Sequence, residues 1–323
     1  MKTIHWAMIG TGDVTEKKSG PGFYKAKNSV LYGVTNRTLA KAEDYAKRHH
    51  VEKVFASVDD LLADPKVDAV YIATPPGSHK DYALRCAEAG KVCYIEKPIA
   101  LTYNEALEIS EAFKKANVKA FVAYYRRTLP RFTEVKVLLE AGTIGDVRFV
   151  NVAYYRPAAK DEINGTHWHV QPEISGGGIF MDMAVHTLDI LYFFFGAIEK
   201  VAAFSVNQAG YYAPEDNVAL SFAFDNHITG TGNWCFTTDT VADNIQIVGS
   251  KGEINFGCFT NDPIQLKTAE QETAIPAGTI EHVHQNLIQT IVDELNGQGS
   301  CPSTIESALR TAWVCDQVYQ QQD

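Results

Sequence analysis

The 323-residue chain has no Cys-x-x-Cys pair and no basic run longer than two residues, and its most apolar stretch, Ile190 to Ile198, is nine residues long. Each absence excludes something. Six cysteines without metal-ligand spacing read as reduced, mostly buried thiols of a cytoplasmic protein, not as a disulfide framework or zinc module. With 29 Lys and Arg against 39 Asp and Glu, the formal charge is −10, which is unsuited to nucleic acid or an anionic membrane. Nine apolar residues cannot span a bilayer, and the first ten residues alternate like a strand instead of forming a cleavable leader. There is no Gly-x-x-x-x-Gly-Lys phosphate loop and no Gly-x-Ser-x-Gly elbow. None of the fifteen tyrosines has Lys four residues later, which removes the short-chain dehydrogenase pattern. What remains, 46% hydrophobic and 11% aromatic with mean hydropathy −0.16, is the composition of a globular enzyme of about two domains.

The first 120 or so residues alternate short apolar runs with helical patterns. Strands are expected at 4–9, 30–35, 69–73, 92–95 and 120–123, with helices at 38–49, 58–63, 79–89 and 103–116. That order predicts a doubly wound parallel sheet, an α/β domain of the Rossmann type. Beyond residue 124 the pattern changes: a helix at 132–141, a strand at 148–155 and a long helix after Gly176-Gly177-Gly178. From about 200 the apolar period shortens to two, with Val218, Leu220, Phe222 and Phe224 on one face, predicting an open, mainly antiparallel sheet. Two helices, 283–295 and 304–318, close the chain, the second opened by a capping box at Ser303 to Glu306. Domains are therefore expected at 1–124 and 125–323, with the last helices packing back on the first domain.

Gly10-Thr11-Gly12-Asp13-Val14 directly follows the first strand, where glycines let a backbone approach a pyrophosphate. Thr15 stands where the third glycine of the usual fingerprint falls, and an ordinary strand-to-helix turn is the alternative. The second strand ends in Thr35-Asn36-Arg37 with no carboxylate, so Arg37 can grip a 2′-phosphate; this favours NADP(H), with NAD(H) the alternative. Thr74-Pro75-Pro76 and Glu96-Lys97-Pro98 follow two further strands, at the sheet end where open α/β folds bind ligands. Lys97 is a cation near the nicotinamide on one reading and part of a surface turn on another. Asp182 and His186 are four apart on a helix, a spacing that suits a proton-transfer pair or a simple helix-stabilising one, and Asp189 is an equal candidate partner for His186. The three glycines before that helix are expected to let another chain or a ligand come close. His167, His169, His282 and His284 fit no standard zinc spacing, so no metal is expected. Tyr125, Arg126, Tyr155, Arg156, Trp168 and His169 supply the aromatic faces and donors that a sugar site needs, or serve packing.

Taken together, Gly-x-Gly, Thr-Pro, Glu-Lys-Pro and Gly-Gly-Gly-x-x-x-Asp-x-x-x-His resemble the glucose–fructose oxidoreductase and inositol dehydrogenase family (Gfo/Idh/MocA), in the family's order along nearly the whole chain. The resemblance implies an NAD(P)-dependent oxidoreductase acting on a sugar, polyol or related hydroxy compound. It also implies an open sheet that serves as the interface of a homodimer or homotetramer. It assigns Lys97 to nicotinamide ribose and substrate, Asp182 and His186 to catalysis, and His79 to the His beyond the Thr-Pro turn. Glycoside hydrolysis through transient oxidation and non-catalytic NADP(H) sensing are the other functions such a chain could serve.

Overall fold

The computed structural model describes residues 1–321, in two compact units. The first comprises Met1–Thr128 and Ile280–Leu309. Its strands β1 (Ile4–Ile9), β2 (Ser29–Thr35), β3 (Lys53–Val54), β4 (Ala69–Ile72), β5 (Val92–Ile95) and β6 (Ala120–Val122) form one parallel sheet in the order β3-β2-β1-β4-β5-β6. Every residue of β4 is buried, as expected of a strand covered on both faces. The core on one side is aromatic: Phe23 lies 5.0 Å from both Trp6 and Tyr71, and Tyr71 stacks on Tyr94 at 5.1 Å. Large rings of this kind each contribute roughly 1.5–3 kcal/mol by leaving water.

Three local features differ from the expected pattern. Strand β3 is two residues long, too short to show a period. Between β1 and β2 the chain forms two short helices, Asp13–Lys17 and Gly20–Lys25, with Pro21 in the first turn of the second. Ser303 does not cap the last helix, since its hydroxyl donates to Val122 O at 2.7 Å. The neighbouring Thr304 accepts from Ser307 N–H instead, at 3.4 Å. Thr102 does cap its helix, accepting from Glu105 N–H at 3.2 Å, while the Glu105 carboxylate accepts from Leu101 N–H.

The division between the units falls after Thr128, four residues beyond the expected position, because Tyr125–Thr128 form a 3-10 turn tied to the first unit. Asn286, on the returning helix Gln285–Leu295, donates to Thr128 O at 3.1 Å.

The second unit runs from Leu129 to Thr279 and resumes at Arg310. Strands β7 (Val147–Tyr155), β8 (Ile198–Val206), β9 (Asn217–Phe224), β10 (Thr229–Cys235), β11 (Ala242–Gly249), β12 (Gly252–Phe256), β13 (Ile264–Thr268) and β14 (Glu272–Ile275) form a second sheet. Its order is β14-β13-β12-β11-β7-β10-β9-β8, antiparallel except for the β7–β10 pair. The period of two holds: Val218, Leu220, Phe222, Phe224 and Trp234 are buried on one face, together with Val150, Val152 and Tyr154. The helix Ile179–Phe195 covers that face, with Phe180 edge-on to Trp234 at 5.4 Å. Pro172–Phe195 is long and apolar enough to cross a membrane, yet most of it is buried inside the protein as a core helix. On the sheet's other face Phe149, Phe204 and Val206 are exposed, Phe204 at 80%.

Candidate functional site

In the first unit the strand order β2-β1-β4-β5 sets four loops side by side at the carboxyl edge: 10–12, 36–37, 74–76 and 96–98. This is where the strand order reverses, the place where open α/β sheets receive ligands. Gly10 has φ +96°, and a Cβ there would lie 2.8 Å from Ala73 O, so only glycine fits. A Cβ on Gly12 would meet nothing within 4 Å, which leaves clear space over the turn.

Thr15, in place of a third glycine, is fully buried and its hydroxyl donates to Gly12 O at 2.6 Å. The close packing that a third glycine would allow is supplied later, by Gly20 and Gly22. A Cβ on Gly20 would lie 2.1 Å from both Thr15 O and the Tyr45 hydroxyl, and one on Gly22 would lie 2.8 Å from Ile288 Cδ1.

Asn36 Nδ2 donates to Thr11 Oγ1 at 2.8 Å, and Asn36 Oδ1 accepts from Thr38 N–H at 2.9 Å. Asn36 thereby locks the glycine turn to the end of β2, and Arg37 stands exposed beside it. Asp13 is exposed and Val14 half-buried in the short helix that follows the turn.

Lys97 is half-buried and joined to Pro98 by a cis peptide. Behind it His79 is fully buried, its Nδ1 2.9 Å from Pro98 O and its Nε2 2.7 Å from Thr74 O. Each ring nitrogen lies within hydrogen-bond distance of a backbone carbonyl, the neutral ring donating to one of the two, and burial holds the imidazole pKa down. His79 therefore supports the Thr74-Pro75-Pro76 and Lys97-Pro98 loops from inside.

Glu96 is likewise a support residue. Its carboxylate accepts from the Tyr71 hydroxyl and from Lys97 N–H, and burial raises its pKa. His284 Nε2 is 3.7 Å from Glu96 Oε1, and its Nδ1 is 2.9 Å from the Tyr94 hydroxyl. Desolvation, then the nearby Lys18, Lys97 and Arg126, pull the His284 pKa down to about 3. Tyr125 packs on the His284 ring at 4.4 Å, and Arg126 donates to the Tyr125 hydroxyl at 3.1 Å. Both residues are nearly buried, as parts of this network.

In the second unit Asp182 occupies the first turn of the helix Ile179–Phe195, and His186 follows one turn later, 5% exposed. His169 Nε2 lies 3.4 Å from Asp182 Oδ2, so the 3-10 turn Trp168–Val170 delivers an imidazole to that carboxylate. Trp168 packs against His169, ring centroids 3.9 Å apart, and His167 lies 4.3 Å from His169. Asp189 is buried one turn beyond His186.

Two expected site residues fall elsewhere. Tyr155 belongs to the opposite face of the sheet, because side chains alternate along β7 and Tyr154 is the one facing the helix. Arg156 is held in a two-pronged ion pair with Glu162, at 2.9 and 2.5 Å. The structure adds one neighbour that no spacing marked. Phe259 stands edge-on to His186 at 6.0 Å and packs on Tyr154 at 4.6 Å. Its loop is fixed by the Asp243 carboxylate, which accepts from the N–H groups of Cys258, Phe259 and Thr260 at 2.6–2.8 Å, and by Arg131, which donates to Gly257 O and Thr260 O.

The model of an oxidoreductase family with an NAD-binding Rossmann fold matches residues 4–124, and that family's C-terminal domain model matches residues 132–255. Oxidoreductase P35 of Formosa agariphila is 37% identical over 97% of this chain and 97% of its own. The scyllo-inositol 2-dehydrogenase (NAD(+)) of Bacillus subtilis is 28% identical, covering 83% of this chain and 78% of its own. The aldose-aldose oxidoreductase of Caulobacter crescentus shares the fold, with TM-score 0.89 at 20% identity over 99% of this chain and 97% of that one. Two domain models in sequence and a relative similar from end to end make this chain a member of the Gfo/Idh/MocA oxidoreductase family, a dehydrogenase or reductase with an NAD-binding Rossmann domain.

Proposed function

We propose that the protein moves hydride between NADP(H), in preference to NAD(H), and a hydroxyl-bearing carbon of a sugar or polyol. The observation that carries the reading is the Asp182–His169 contact one helical turn from His186. A carboxylate and an imidazole meet there, with a second imidazole one helical turn further along, groups suited to moving a proton near neutral pH. In the oxidative direction His186 removes the substrate hydroxyl proton. Lys97, on a strand-end loop of the first unit, is the cation assigned to developing negative charge, and Asp182, held by His169, orients the substrate. Trp168 offers a flat apolar face to a sugar ring.

The cofactor would be held by Gly10, Thr11, Gly12, Asp13 and Val14 at the first turn and by Thr74, Pro75 and Pro76 at the next. The clear space over Gly12 fits a pyrophosphate, since any side chain there would fill it. When bound, the nicotinamide supplies the hydride acceptor or donor at its C4. The NADP(H) preference rests on Asn36, whose tie to Thr11 leaves exposed Arg37 as the cation at the strand end, with no carboxylate beside it.

The test is a panel of sugars and polyols with NADP⁺ and NAD⁺, followed by the matching carbonyl compounds with NADPH, read by nicotinamide absorbance. Turnover with at least one polyol or sugar, faster with NADP⁺, is expected. Inactivity across the panel in both directions would overturn the substrate class.

A further inference from the structure

The glycine triplet before the helix Ile179–Phe195 makes room for two side chains of this same chain. A Cβ on Gly177 would lie 2.4 Å from the Tyr319 hydroxyl, and one on Gly178 would lie 2.7 Å from Glu215 Oε1 and 2.9 Å from Glu215 O. Through that space Glu215 Oε1 accepts from Gly178 N–H at 3.1 Å and from the Tyr319 hydroxyl at 2.7 Å. Glu215 is 7% exposed. Its backbone is pinned as well: the neighbouring Asp216 carboxylate accepts from Gln208 and Ala209 N–H at 2.9 and 2.7 Å, closing the turn that precedes β9.

Gly178 is the N-cap of a helix 17 residues long. A cap is ordinarily a Ser, Thr, Asp or Asn at that position, whose own side chain satisfies the first N–H groups. Here the position is glycine, and a carboxylate from a remote turn, oriented by the last helix, Ile305–Gln320, accepts from the N-cap residue's own N–H. The negative group sits at the positive end of the helix dipole. A local cap shapes one turn of backbone, whereas a remote carboxylate also fixes where the helix end stands against the sheet. That end carries Asp182 in its first turn and His186 in its second.

We propose that Glu215, oriented by Tyr319, is a positioning residue that fixes the placement of Asp182 and His186 for hydride transfer. The proposal rests on the reading of those two residues as the reactive pair. Burial raises the Glu215 carboxyl pKa, and burial followed by the adjacent Glu215 charge raises that of the Tyr319 phenol, as expected of a desolvated carboxylate bound to a donor.

Three variants test it: Glu215→Ala, Glu215→Gln and Tyr319→Phe, studied by hydrogen exchange of the 178–186 segment. Turnover with the best panel substrate, cofactor affinity and melting temperature complete the comparison. Glu215→Ala and Tyr319→Phe are expected to speed exchange in that segment. They should lower kcat roughly tenfold or more, toward the ~100-fold that a misplacement of about 1 Å can cost. Cofactor affinity should stay within about twofold of wild type, because that site belongs to the first unit. Glu215→Gln keeps an acceptor for Gly178 N–H and should restore part of kcat. Should Glu215→Ala fail to fold, Tyr319→Phe carries the test by itself. Unchanged exchange at 178–186, or faster exchange with kcat intact, overturns the proposal. Failure of the underlying reading is distinguishable, because Asp182→Ala and His186→Ala would then retain turnover.

Discussion

His169 Nε2 meets Asp182 Oδ2 at 3.4 Å, which joins a 3-10 turn to the first turn of the core helix. The contact gives Asp182 an imidazole partner from outside its own helix. The helix therefore presents two acid–base groups in succession, Asp182 restrained by His169 and His186 backed by Phe259.

For catalysis, His186→Ala and Lys97→Ala are expected to bind NADP(H) and nearly lose turnover, each by roughly 10²–10⁴-fold. His169→Ala should raise KM and lower kcat less, because it removes only the restraint on Asp182. Steady-state kinetics with separately measured cofactor affinity decides this. A His186→Ala enzyme keeping more than about a tenth of wild-type kcat would transfer the base role to Lys97.

For cofactor choice, Arg37→Asp should reverse the order of NADP(H) and NAD(H) affinities. Loss of a charge-assisted fork is worth about 1.5–3 kcal/mol, or roughly ten- to a hundredfold. Fluorescence titration of both cofactors measures it, and an unchanged ratio refutes the assignment.

Glycine positions separate folding from binding. Gly20→Ala should destabilise by about 1–3 kcal/mol, since its Cβ would stand 2.1 Å from Thr15 O. Gly12→Ala should leave the denaturation midpoint nearly unchanged and weaken cofactor binding, its Cβ entering open space. Urea denaturation and cofactor titration on both variants check the contrast.

Acid should act through His284. The ring is neutral in the folded state, with its pKa down at about 3 against 6.5 for a free imidazole. The unfolded chain therefore takes up a proton first as pH falls below 6.5, so the stability present above 6.5 is lost progressively toward 3. Between pH 6.5 and 5 this one group costs about 2 kcal/mol. Urea unfolding at pH 7 and 5 should show a smaller loss in His284→Gln than in wild type, and equal losses would contradict the linkage.

Assembly should proceed through the outer face of the second sheet, where Phe149, Phe204 and Val206 remain exposed. Light scattering at micromolar concentration is expected to report a dimer or tetramer, and Phe204→Lys a smaller species. A monomeric wild-type protein would count against this interface.

Local chemistry carried much of this protein by itself. The parallel sheet, the period-two strands, Gly10 and the Lys97-Pro98 turn were legible because each depends on residues a few positions apart: strand alternation, turn geometry and strand-end loops. Folding over longer separations decided the rest. The face of β7 that meets the helix set Tyr155 on the other side of the sheet, and two short helices moved the close-packing glycine from position 15 to 20 and 22. Tertiary contact alone turned His79 and Glu96 into supports, brought His169 to Asp182, and filled the glycine triplet with Glu215 and Tyr319. The reason is physical: periodicity and turn residues encode a segment's own backbone, whereas buried polar groups take whichever partner the packed chain brings within hydrogen-bond reach.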